Sequence, residues 1–167
     1  MRSSASSSAE TFSTEKRPAA LTGNLTAARI VVAGGRGLGS RENFLAMVDL
    51  AELLGAQAAG TRGALDARWI PHEREIGLSG VRVAPELYLA CGLSGANFHT
   101  IGMEHSRFII AVNPDPSARI HELANLSVYE DANRCVRELT EYAARRRAEC
   151  PELDPAALVR AYFQPDT

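Results

Sequence analysis

Short apolar runs alternate along this chain with stretches whose apolar residues return every three or four positions. The runs at 29–33 (RIVVA), 56–60 (AQAAG), 81–83 (VRV), 87–93 (LYLACGL), 107–112 (RFIIAV) and 126–129 (LSVY) predict strands, several hydrophobic enough to be buried on both faces. Phe44, Met47, Val48, Ala51 and Leu54 form a helical stripe that Gly55 ends. Further helices are expected after Ser94 as N-cap, over 120–124, from an Asp131 cap to about residue 147, and from Asp154-Pro155 to about residue 163. Strands alternating with helices imply an α/β fold. The sheet is expected to be parallel and covered on both faces, with a ligand edge at the strand C-termini.

Residues 1–24 are rich in Ser, Thr and Ala and carry few large apolar side chains, which predicts a disordered tail or linker. The domain proper is expected over 25–147. Residues 148–167 form a short helical extension whose Leu158, Val159, Tyr162 and Phe163 suit docking on the domain or on a partner. A chain of 167 residues with 46% hydrophobic content can build one proper core, and a net charge of -2 argues against broad binding to nucleic acid or anionic membranes. Cys91, Cys135 and Cys150 are odd in number and widely spaced, so neither a disulfide framework nor a zinc cluster follows. No apolar run reaches membrane-spanning length and the N-terminus lacks a signal-peptide segment, so the expected compartment is the reducing cytoplasm.

The candidate chemistry sits in the turns. After the first strand come Gly34, Gly35, Gly37 and Gly39, then a helix, a grammar that lets backbone approach a phosphate and offers it free N–H groups. The spacing is not that of the common dinucleotide fingerprint, and the P-loop lysine is absent. Arg36 inside this turn suits bidentate phosphate binding or stacking on a ring. Thr61 and Arg62 follow the second strand at the ligand edge, although an isolated Arg commonly makes a surface salt bridge. Ser79 lies between Gly77 and Gly80 as a hydroxyl on a close-approaching backbone, or in a turn without function. Ser94, Gly95 and Ala96 offer a second anion site, with His99 in the following helix as ligand contact or satisfied core residue. Asn113 reads as an Asx-turn or a ligand contact, and Asp131 as a cap unless a ribose or adenine lies there. Trp69 reads as packing. A long nucleotide such as FAD or NAD would explain so many prepared loops on one edge.

The ordered set VVAGGRGLGSRENF, GTRGALDA, IGLSG, VAPELYLACGLSGANFHTIGM and IIAVNPDP resembles the C-terminal FAD-binding domain of the electron transfer flavoprotein alpha subunit over roughly residues 21–144. The resemblance implies a Rossmann-like, doubly wound sheet and FAD as cofactor. It implies that Arg36 contacts FAD, that Thr61 stands where the family's serine binds it, and that Arg62 lies over the isoalloxazine ring. Ser79 matches the hydroxyl beside flavin N5, in a loop shaped by Gly77 and Gly80. Ser94, Gly95 and Ala96 match the pyrophosphate turn. His99 matches the histidine facing the C2 carbonyl, Asn113 the asparagine near the ribityl or adenosine portion, and Asp131 the acid near the adenine.

Three positions depart from the family pattern. Leu78 and Val81 stand where glutamine and lysine are common, which removes polar contacts to the cofactor, and Arg68 replaces a usual glycine before the W-I-P segment. The resemblance also implies an N-terminal platform domain that joins a beta subunit; here a serine-rich tail and a linker-like segment stand before the FAD-type domain, so the chain is expected to be a standalone or split FAD module, or a fragment of something larger. The expected function is an FAD-bearing electron carrier rather than an enzyme with its own substrate. It would exchange electrons with a flavin dehydrogenase and pair with a beta-like subunit; the rival is a nucleotide-binding scaffold without redox turnover.

Overall fold

A computed structural model describes residues 17–165. Five parallel strands, β1 (Ile30–Gly34), β2 (Gln57–Gly60), β3 (Leu87–Cys91), β4 (Phe108–Val112) and β5 (Leu126–Val128), form one sheet in the order β2-β1-β3-β4-β5. The chain leaves β1 toward one edge and returns beside it on the other, so the strand order reverses between β1 and β3. In doubly wound sheets ligands lie at that switch point, beyond the strand C-termini.

Side chains alternate across the sheet and fill two cores. Ile30, Val32, Leu87, Leu89, Cys91, Ile110 and Val112 face one side, against α1 (Arg41–Leu54), α5 (Ala132–Glu149) and α6 (Pro155–Phe163). Val31, Ala33, Tyr88, Ala90, Ile109 and Ala111 face the other, covered by Leu25, Ile76, Val83, Leu93, Met103 and Ile120 from loops and short helices. These include α3 (Asn97–Thr100) and α4 (Ile120–Leu123). The period-2 division explains why each strand reads as uniformly apolar.

Helix boundaries follow the side chains that cap them. Ser40 accepts from the Asn43 amide at 3.1 Å to open α1, and Gly55 closes it at φ 68. Thr61 accepts from Ala64 to open the short α2 (Arg62–Asp66). Asp131 and Asp154 do the same for α5 and α6. Leu158 and Val159 dock on this domain's own core, and Trp69 packs 6.1 Å from the Phe44 ring.

The structure corrects three local expectations. Residues 81–83 are not a strand of the sheet, since β3 already pairs with β1 and β4; Val81 makes only an isolated bridge to Ile76, and Val83 crosses the second face. The N-cap of α3 is Ala96 rather than Ser94, because Gly95 at φ 88 turns the chain before the helix begins. Ala19–Leu21 form a 3-10 turn against the sheet edge, with Ala20 and Leu21 buried, although composition alone assigns them to the tail. The rest of that tail, residues 1–16, lies outside the described residues.

What holds this segment is Arg74, only 4% exposed. Its guanidinium donates to the carbonyls of Ala20, Gly23 and Ala58 and to Gln57 Oε1, at 2.7–3.1 Å. Burial pulls its pKa below the ordinary arginine value, with nearby Glu73 opposing the shift. The polar run PHERE looks solvated in sequence, yet it hides the residue that ties residues 20–23 to β2.

Candidate functional site

The register of β1 on β3 pairs Gly34 with Cys91, which brings their following turns together. Gly37 N–H donates to Gly92 O at 2.9 Å, and a Cβ on Gly37 would stand 2.5 Å from that oxygen. Only glycine permits the approach. Beside them the turn after β2 and the loop after β3 complete a cavity of about 320 Å³ at the switch point.

Eight of the twelve expected site residues line it: Arg36, Thr61, Arg62, Ser94, Gly95, Ala96, His99 and Asn113. Among the described residues, the amides of Arg62, Gly63, Gly95, Ala96 and Asn97 have no protein acceptor, so several turns present unpaired donors to one space. Arg36 is exposed and its guanidinium makes no hydrogen bond within the described residues; its stem lies against Gly63, where a Cβ would meet Arg36 Cγ at 2.7 Å. Arg62 pairs with Asp66 at 3.1 Å, and Asp66, with Glu75 at longer range, holds its pKa above the usual value. The salt-bridge reading of Arg62 is thus realised, while the residue also lines the cavity. The Ser94 hydroxyl is exposed and makes no hydrogen bond to the described residues.

Two residues here are internally satisfied. Asn113 forms the Asx-turn, accepting from Asp115 N at 2.8 Å, and donates to Leu93 O at 3.0 Å. His99 is 4% exposed, with Nε2 2.7 Å from the Tyr88 hydroxyl and Nδ1 3.1 Å from the Ile76 carbonyl. A carbonyl only accepts, so Nδ1 carries the proton and Nε2 accepts from Tyr88. Burial pulls this imidazole down to about 4. A His99 that donates from Nε2 to a ligand would have to release Tyr88.

Gly77, Ser79, Gly80 and Asp131 are outside the cavity lining. The first three form the tight loop beside it, where Gly77 N–H donates to Val81 O and Gly80 N–H to Gly77 O. Asp131 caps α5 through the Arg134 amide at 2.9 Å. Conversely, the wall contains Glu75, Ile76 and Phe98, which sequence reasoning passed over. Glu75 ends a charged run that carries no burial signal, and Phe98, 68% exposed, is apolar where a surface helix would be polar.

A parallel sheet whose switch point carries a glycine-lined cavity, free amides and two arginines defines a nucleotide-binding domain of the doubly wound class. Residues 24–104 match the family model described as the electron transfer flavoprotein FAD-binding domain. It is 45% identical over 117 residues to the probable electron transfer flavoprotein subunit alpha, mitochondrial, of Caenorhabditis elegans, covering 70% of this chain and 35% of that one. It is 45% identical over 118 residues to the subunit alpha of Bacillus subtilis (71% and 36%), and 46% over 116 residues to that of Paracoccus denitrificans (70% and 38%). The chain thus spans little more than a third of the length of these relatives. The stretch matched by the family model includes every cavity-lining residue except Asn113.

Proposed function

We propose that the cavity holds FAD, the cofactor named in the description of the matching family model, and that the chain is the cofactor-bearing module of an electron transfer flavoprotein, passing electrons between a flavin dehydrogenase and an acceptor. The observation that carries this reading is the convergence of four strand-end turns on one cavity lined by two arginines and by residues with unpaired amides. Such a lining fits an elongated anionic cofactor: amides and Arg36 for the phosphates, Arg62 for the ring.

Bound FAD would supply the redox chemistry, so the protein needs no acid–base pair of its own. Gly95, Ala96 and the Ser94 hydroxyl hold the pyrophosphate. Asn113 orients the ribityl or adenosine part, Asp131 stands toward the adenine, and Arg62 places a cation against the ring. His99, fixed by Tyr88 and Ile76, closes the pocket floor. The loop of Gly77, Ser79 and Gly80 forms its rim. A beta-like subunit completes the shielding of the ring, and the exposed Leu78, Phe98 and Ile101 beside this rim suit such a partner. Among the described residues no helix is long and apolar enough to cross a membrane, and the three cysteines are free, which supports a reducing compartment such as the cytoplasm.

The test is the visible spectrum after incubation with FAD and desalting, with and without a beta-type subunit. Retained flavin absorbance is expected, weakened at least tenfold in Kd for Arg62→Ala and for Ser94→Ala. A folded chain that keeps no flavin under either condition would leave the scaffold reading in its place.

A further inference from the structure

Glu75 is a buried acid in a site otherwise built for an anion. It is 2% exposed and lies in the cavity wall. Its Oε2 accepts from the Ser79 hydroxyl at 3.1 Å, whereas Oε1 has no hydrogen-bond partner among the described residues. Its charge reaches Arg62, whose own hydrogen-bonded partner is Asp66. The backbone fixes it from both sides: Glu75 N–H donates to His72 O, its carbonyl accepts from Val81 N–H, and Gly80 packs directly on that carbonyl.

Resting on the FAD reading above, we propose that Glu75 is a built-in counter-charge that lowers the reduction potential of the bound flavin, opposing the cation of Arg62. A ring edge in hydrogen-bond contact with Ser79 would lie within two hydrogen-bond lengths, about 6 Å, of this carboxylate. Two-electron reduction adds negative charge to the ring system. A fixed anion at that distance therefore disfavours the reduced form by tenfold or more, even at an effective dielectric of about 20. Arg62 and Glu75 together form an opposed pair whose balance sets the potential, with Ser79 holding the acid in place. Glu75 is thus a tuning residue that acts through its field and needs no proton transfer.

Spectroelectrochemical titration of the FAD-loaded chain tests this, with the electrode supplying both electrons. Glu75→Gln is expected to raise the affinity for reduced over oxidised FAD at least tenfold, which for a two-electron couple is a positive shift of about 30 mV or more. Glu75→Asp keeps the charge and is expected to stay near the parent potential, which separates the field from any repacking. Glu75→Gln that binds FAD at an unchanged or lower potential would overturn the inference while leaving the FAD reading intact. A parent chain that binds no FAD, with or without a beta-type subunit, would overturn both.

Discussion

At the scale of single residues, the structure assigns costs that the sequence hides. His99 is neutral in the fold, its pKa depressed to about 4 from the ordinary 6.5. Between these values the unfolded chain binds more protons than the folded one. Stability is therefore level above about pH 6.5 and falls as the pH drops toward 4, by at most about 3 kcal/mol for a buried group. Urea unfolding at pH 7 and pH 4.5 should show that loss, and His99→Gln should flatten the dependence while lowering stability at pH 7. An equal slope in parent and variant would place the titration elsewhere. Arg68 carries a second cost: φ is 66, in the left-handed region that glycine adopts without strain. Arg68→Gly is expected to stabilise the fold by roughly 0.5–1 kcal/mol, relief of backbone strain outweighing the added freedom of the unfolded chain. The sequence marked His99 and Arg68 as positions of interest, but burial and backbone angle are properties of the folded chain.

At the scale of elements, most of the architecture was legible because the signals are local. The 29–33 run became Ile30–Gly34, the stripe from Phe44 to Leu54 became α1, and Asp131 and Asp154 cap the helices they were expected to cap. Where the reading failed, the deciding contact was remote. Val81 and Val83 have strand-like side chains, yet β3 has no free edge for them. Ser94 has cap chemistry, but Gly95 turns the chain before the helix starts. The Asp131 cap gives a further expectation: Asp131→Ala should lower stability by about 1 kcal/mol in denaturant unfolding. If the acid also stands toward the adenine, the same variant weakens FAD more than it weakens AMP-free flavin analogues. Equal weakening of FAD and FMN would confine Asp131 to capping.

At the scale of the whole molecule, the site depends on a sheet edge that is not held by its own strands. Among the described residues β1 is the one strand paired with β2, apart from a single bridge between Gly60 and Glu75, and the C-terminal end of β2 carries Thr61 and Arg62. Its outer side is secured by residues 19–23, which bury Ala20 and Leu21 and supply two of the carbonyls that Arg74 engages. No pattern in a serine-rich stretch announces this, because an arginine fifty residues away makes the connection. Deleting residues 1–24 removes a buried Leu, worth roughly 1.5–3 kcal/mol. It also strips Arg74 of acceptors, at about 1–3 kcal/mol more. The expected loss is thus several kcal/mol. Arg74→Met in the full chain should cost a comparable amount, whereas in the deleted chain it should cost at least 1 kcal/mol less, a coupling measured by a double-mutant cycle in urea. Additive costs would mean that the segment and Arg74 stabilise the edge independently. With the coupling present, loss of the segment should also weaken FAD, since Thr61 and Arg62 sit at the end of the strand it holds.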